Sequence, residues 1–108
     1  MQNRKEYTET IIVPKSTAEI IERYLNATDI EDMQEEDYTI SYTAVFPDKR
    51  EMDIKCCGGD DEPSWTEAVL FDENGNEICH SDPEDEFFGT WELETDDAKY
   101  IVNVEPES

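Results

Sequence analysis

Basic residues are scarce in this sequence, which has 30 Asp and Glu against 8 Lys and Arg in 108 residues. The shortage is greatest in residues 56–108, where Lys99 is the only base against 17 acids, whereas residues 1–55 hold seven bases and 13 acids. The formal net charge of −22 repels the phosphates of DNA, RNA and anionic lipids. We therefore expect no direct binding to nucleic acid or to a membrane.

Long apolar runs and paired cysteines are missing as well. No apolar stretch approaches the roughly 20 residues that a membrane-spanning helix needs, and no signal-peptide core follows Met1. The three cysteines are an odd number and two of them are adjacent, which makes a poor disulfide framework. At this length, these absences favour a single-domain cytoplasmic protein with reduced thiols.

One segment has the pattern of an amphipathic helix. Ser16 and Glu19 match a capping box, in which each side chain satisfies a backbone amide at the start of the helix. Ile21 and Leu25 are four residues apart and share one apolar stripe. These features predict a helix over residues 17–26. Residues 29–37 carry six acids and predict an acidic loop.

Period-two alternation of apolar and polar residues dominates the rest of the chain, as expected of strands. The Asn74–Gly75 pair predicts a hairpin turn, and residues 65–71, apolar on both faces except at Glu67, predict a central strand. We predict a single α+β domain, with a mainly antiparallel sheet of six or seven strands and the helix on one face, or a small sandwich. Residues 105–108 are expected to form a frayed tail. The predicted strands cover residues 7–13, 38–46, 52–56, 65–71, 77–81, 90–95 and 99–104.

Two stretches of the chain carry a resemblance to known proteins. MDIKCCGG (52–59) and PSWTEAVLF (63–71) resemble small acidic proteins of unassigned function that are associated with conjugative elements of gut Firmicutes. The resemblance covers residues 38–104 and implies no catalytic residues. It implies a genomic setting rich in anti-restriction and anti-CRISPR proteins, which raises the expectation of a defence inhibitor.

The acidity of residues 56–108 is the strongest functional signal. Alternate side chains of a strand lie about 6.8 Å apart on one face, so Glu92 and Glu94 can form a regular row of carboxylates. DNA carries about one negative charge per 1.7 Å of its axis, and its partners bind largely by neutralising that charge. A dense carboxylate surface can therefore occupy the same basic cleft, with Phe87 as an aromatic anchor among the acids. The predicted partner-binding residues are Asp60, Asp61, Glu62, Asp82, Glu84, Asp85, Glu86, Phe87, Glu92, Glu94, Asp96 and Asp97.

These features predict an acidic, non-catalytic protein-binding module that mimics nucleic acid and inhibits a DNA- or RNA-handling enzyme. The alternative is a structural or accessory protein whose acidity serves solubility only. For Phe87, the alternative is a ring folded back over the edge of the sheet.

Cysteine and histidine allow a third interpretation, a small metal-binding protein or enzyme built on Cys56, Cys57, Cys79 and His80. Adjacent residues of a strand point to opposite faces, which opposes convergence of these side chains. Cys57 could approach His80 if their strands flank a common strand, but anionic surroundings raise the pKa of a thiol. The Asp72–Glu77 stretch lacks the spacing of a calcium loop. We therefore predict no metal, no cofactor and no catalysis.

Overall fold

The computed structural model of the chain describes residues 5–25, 38–59 and 62–108. All seven predicted strands are present within these ranges, each within about three residues of its predicted bounds. The acidic loop predicted at residues 29–37 lies outside the described residues. No helix among the described residues is long and apolar enough to cross a membrane. The elements are β1 (Lys5–Val13), α1 (Lys15–Leu25), β2 (Tyr38–Val45), β3 (Glu51–Gly59), β4 (Glu62–Phe71), β5 (Glu77–His80), β6 (Gly89–Glu94) and β7 (Ala98–Pro106).

The strands form two sheets, so the predicted single sheet of six or seven strands is wrong. One sheet has three strands in the order β1-β7-β6, and the other has four in the order β2-β3-β4-β5. All pairs are antiparallel except β1 with β7, which run parallel with Lys5 opposite Ala98 and Val13 opposite Pro106. Alternation in sequence shows which face of a strand is buried, but it does not show which strands are neighbours.

The two sheets and the helix share one hydrophobic core. In β7 the residues from Ala98 to Val104 alternate strictly between buried and half-buried positions, as the period-two pattern predicts. β4 is the central strand that its apolar composition predicts: it lies between β3 and β5, and both Val69 and Leu70 are buried although they point to opposite faces. The fold is therefore α+β, with strands supplying most of the core.

The ends of the helix and of the chain differ from the prediction. The helix begins at Lys15 rather than at residue 17, and the amide of Ala18 donates to the carbonyl of Pro14 across 2.9 Å. The prediction that Ser16 caps the helix is therefore wrong. A carboxylate oxygen of Glu107 accepts from the amide of Lys15, the first helical residue, at 3.5 Å. The Glu107 amide in turn donates to the carbonyl of Val13 across 2.8 Å. Residues 105–107 thus pair with the rest of the fold instead of fraying.

The Asn74–Gly75 turn between β4 and β5 is confirmed. Gly75 has a φ of 85°, a backbone conformation that glycine adopts without strain. One carboxylate oxygen of Asp72 accepts from the amides of Asn74 at 2.8 Å and Asn76 at 2.9 Å. These bonds, above all the one from Asn76, lower the pKa of Asp72 below its ordinary value. Asp72 is therefore a turn-forming residue.

Candidate functional site

Residues 81–86 follow β5 and are held along the edge of β4 by hydrogen bonds. Thr66 and Glu84 exchange two backbone bonds of 2.8 Å each. The amide of Ser81 donates to the carbonyl of Ala68 at 2.8 Å, and the Ser81 hydroxyl accepts from the Ala68 amide at 2.9 Å. The buried Thr66 hydroxyl donates to the carbonyl of Glu86 at 2.6 Å. Hydrogen bonds thus fix the backbone of these residues, although most of them lie between two predicted strands.

The carboxylates of this segment all point into solvent. Their residues are exposed, and within the described part of the chain none of the four side chains forms an ion pair or accepts a hydrogen bond. We call this set the acidic segment. It consists of Asp82, Glu84, Asp85 and Glu86.

The aromatic pair that follows the acidic segment is divided between core and surface. Phe87 is 1% exposed and packs edge-on against Tyr42, so the prediction that it anchors a partner is wrong. Its carbonyl accepts from the indole nitrogen of Trp91 at 2.9 Å. Phe88 is half-buried and packs against Phe87 at a centroid distance of 5.4 Å. Gly89 then has a φ of 125°, which only glycine adopts readily, and leads the chain into β6.

Phe88 and Glu86 line two neighbouring concave regions, whereas Asp82 lines neither of them. The first, which we call the acidic groove, has a volume of about 340 Å³ and is lined by Glu84, Glu86, Phe88, Trp91 and Glu92 among others. The second is about 330 Å³ and adds Glu22 and Leu25 of the helix to Asp85, Glu86 and Phe88. The structure thereby brings Glu92 together with the acidic segment.

Several residues of this surface, Phe88 and Glu22 among them, were not predicted from the sequence as partner-binding residues. Phe87 lies an even number of residues before the buried Trp91 and Leu93, so period-two alternation places all three on the inward face. Phe88 then falls on the outward face, which was a signal that it is the more accessible ring. No comparable signal placed Glu22 there, because its position depends on how the helix packs.

The predicted carboxylate row on β6 is present, with a cation beside it. Glu92 and Glu94 are exposed on the same face. Lys99 lies opposite Glu94 on β7, and its ammonium nitrogen is 3.7 Å from a Glu92 oxygen. The only base of residues 56–108 therefore offsets part of the charge of this row.

Two of the remaining predicted acids, Asp96 and Asp97, lie apart from the acidic groove. Asp97 accepts from the Thr95 hydroxyl at 2.5 Å and from the guanidinium of Arg50 at 3.3 Å, and these contacts lower its pKa. Asp97 lines a separate groove of about 330 Å³ with Arg50, Lys5 and Tyr7, which we call the arginine groove. Asp96 is exposed next to it. Asp60 and Asp61 lie outside the described residues, and Glu62 begins β4.

Cys57 and His80 do not approach one another across the sheet. Cys57 is opposite Trp65 and His80 is opposite Val69, so they flank β4 at positions four residues apart, or about 13 Å along the strand. Burial and the nearby Glu77 raise the pKa of the Cys79 thiol, which disfavours a reactive thiolate. Among the described residues, no three or more His, Cys, Asp or Glu are placed to hold a metal ion.

Comparisons with known proteins give no relative. No protein family model, no curated protein and no solved structure matches this chain. The geometry of the acidic groove and of the acidic segment is therefore the basis for a functional proposal.

Proposed function

We propose that this chain is an acidic, non-catalytic protein-binding module that mimics nucleic acid and inhibits a DNA- or RNA-handling enzyme. The observation that carries the proposal is the acidic segment: four exposed carboxylates without ion pairs in the described part of the chain, on a backbone fixed to β4. A side chain that serves solubility alone needs no fixed backbone.

A fixed backbone beneath the carboxylates favours binding for a thermodynamic reason. A loop that becomes ordered on binding loses conformational entropy, whereas a segment that is already ordered does not. Glu84 and Glu86 are separated by one residue and line the same acidic groove. A basic cleft built for phosphates can neutralise such neighbouring carboxylates in the same way as it neutralises DNA.

The partner we propose is the basic cleft of a nuclease or a related enzyme. The resemblance of residues 38–104 to acidic proteins of conjugative elements favours an enzyme of bacterial defence, such as a restriction or CRISPR nuclease. The proposal places the protein in the cytoplasm, where such enzymes act and where its thiols stay reduced.

The test compares two variants with the same change in net charge. Both are used to recover a partner from host lysate at low and high salt and then to compete with DNA or RNA for the purified partner. We expect the acidic-segment variant to lose most of its binding, the control to lose little, and wild-type binding to weaken steeply with salt. The acidic-segment variant is D82N/E84Q/D85N/E86Q, and the control is E6Q/E51Q/E73Q/E105Q.

Two results would contradict the proposal. Equal losses in both variants would show that total charge, and not the acidic segment, determines binding. Recovery of no basic partner at low salt would leave the solubility interpretation in place.

A further inference from the structure

The acidic groove combines carboxylates with aromatic side chains. Glu84 and Glu86 line it together with the aromatic residues Phe88 and Trp91. At about 340 Å³ the groove is at the small end of the range for ligand pockets. It therefore suits one side chain of a partner that has a positive charge and a flat or apolar body.

The arginine groove contains a similar combination, and there the chain supplies its own cation. The guanidinium of Arg50 lies 5.7 Å from the centroid of the Tyr100 ring and donates to Asp97. The carboxylate of Asp97 and the ring and hydroxyl of Tyr100, which accepts from the guanidinium at 2.7 Å, thus hold an arginine within this protein. Among the described residues, no Lys or Arg lines the acidic groove, and the Lys99 ammonium lies 3.7 Å from a carboxylate oxygen of Glu92.

From this comparison we infer that the acidic groove binds an arginine side chain of the partner, with the guanidinium between Glu84 and Glu86 and against Phe88. The inference rests on the proposed function and specifies the chemistry of its partner. Arginine is favoured over lysine because its planar guanidinium binds carboxylates through two parallel hydrogen bonds and stacks on aromatic rings. A lysine ammonium is a compact, strongly hydrated charge that gains less from either contact.

The experiment titrates the full-length ¹⁵N-labelled protein with capped tetra-arginine and tetra-lysine peptides, which carry equal charge. We expect tetra-arginine to shift the amides of residues 84–92 and to bind about threefold or more tightly than tetra-lysine. Uniform shifts over all acidic surfaces, or equal affinities for the two peptides, would overturn the inference.

Variants separate the contributions of ring and charge. Phe88→Leu keeps the apolar bulk but removes the ring, so the preference for arginine should fall to about one. E84Q/E86Q should weaken binding of both peptides about tenfold, whereas E73Q/E105Q, with the same change in charge, should weaken it less than about twofold. A Phe88→Leu protein that keeps the preference contradicts the stacking contact.

The outcomes distinguish this inference from the proposed function. If the acidic segment proves necessary for binding the partner but the peptides bind equally, the mimic stands and the arginine site fails. If tetra-arginine binds selectively but no basic partner competes with nucleic acid, the arginine site stands and the mimic fails.

Discussion

The guanidinium of Arg50 donates to the phenol oxygen of Tyr100 across 2.7 Å, and this contact joins the two sheets. Arg50 immediately precedes β3, and Tyr100 lies in the middle strand of the three-stranded sheet. The phenol hydroxyl in turn donates to Asp48 at 2.6 Å. The Tyr100 ring is fully buried and stacks on Tyr7 at a centroid distance of 5.5 Å. A polar network thus closes one end of the hydrophobic core.

Tyr100→Phe should lower the free energy of unfolding by about 1–2 kcal/mol, because Arg50 and Asp48 both lose a hydrogen-bond partner. Tyr42→Phe is the control, since Tyr42 is half-buried and its hydroxyl forms no hydrogen bond with the described residues. Urea unfolding followed by circular dichroism measures both. Equal destabilisation by the two substitutions would contradict a structural role for the network.

The same residue should make stability depend on alkaline pH. Burial, aided by the bond to Asp48, raises the pKa of Tyr100 to about 12. In the unfolded chain a tyrosine ionises near pH 10, so the unfolded state loses its proton first as pH rises. The contribution of Tyr100 to stability is therefore complete below about pH 10 and declines toward pH 12. Urea unfolding across this range should show a smaller decline for Tyr100→Phe than for the wild type.

Thr66→Val should loosen the acidic segment without changing any charge. The substitution removes the bond to the Glu86 carbonyl from a fully buried hydroxyl, at a cost of about 1–2 kcal/mol. We expect faster hydrogen exchange at the Glu84 amide and weaker binding to the partner, because the backbone that carries the carboxylates is no longer held in place. Thr8→Val, at an exposed position of β1, should leave both unchanged. Unaltered partner binding in a folded Thr66→Val protein would show that the fixed backbone is not required.

The two adjacent phenylalanines should differ strongly in their contribution to stability. Phe87→Ala leaves a cavity in the core and should lower the free energy of unfolding by about 3–5 kcal/mol. Phe88→Ala removes a half-buried ring and should cost less than about half as much. Thermal or urea unfolding of the two variants measures the difference. A larger effect at Phe88 would contradict their assignment to core and surface.

The sequence predicted much of the local structure correctly. Period-two alternation identified most strands of the described residues, and its apolar positions, among them Phe46, Ile54, Trp91 and Tyr100, are buried. The central strand β4 was identified instead by its apolar residues on both faces. The Asn74–Gly75 pair identified a turn for the same local reason, since glycine relieves a steric restriction of the backbone. Such features depend on a few neighbouring residues, so they can be read without knowing the fold.

The candidate site was predicted only in part, because its assembly depends on contacts distant in sequence. The sequence showed that residues 82–86 are acidic, but it did not show that they are hydrogen-bonded to Thr66, about 20 residues earlier. It also gave no means of separating Asp97, which contacts Arg50, from Glu92, which lines the acidic groove.

What the sequence by itself determined is therefore the charge, the strands and their buried faces. Tertiary structure alone decided the division into two sheets, the parallel pairing of β1 with β7 and the placement of Glu22 beside the acidic segment. The physical reason is that alternation follows from the geometry of a single strand, whereas the neighbours of a strand are selected by the free energy of packing many distant side chains into one core.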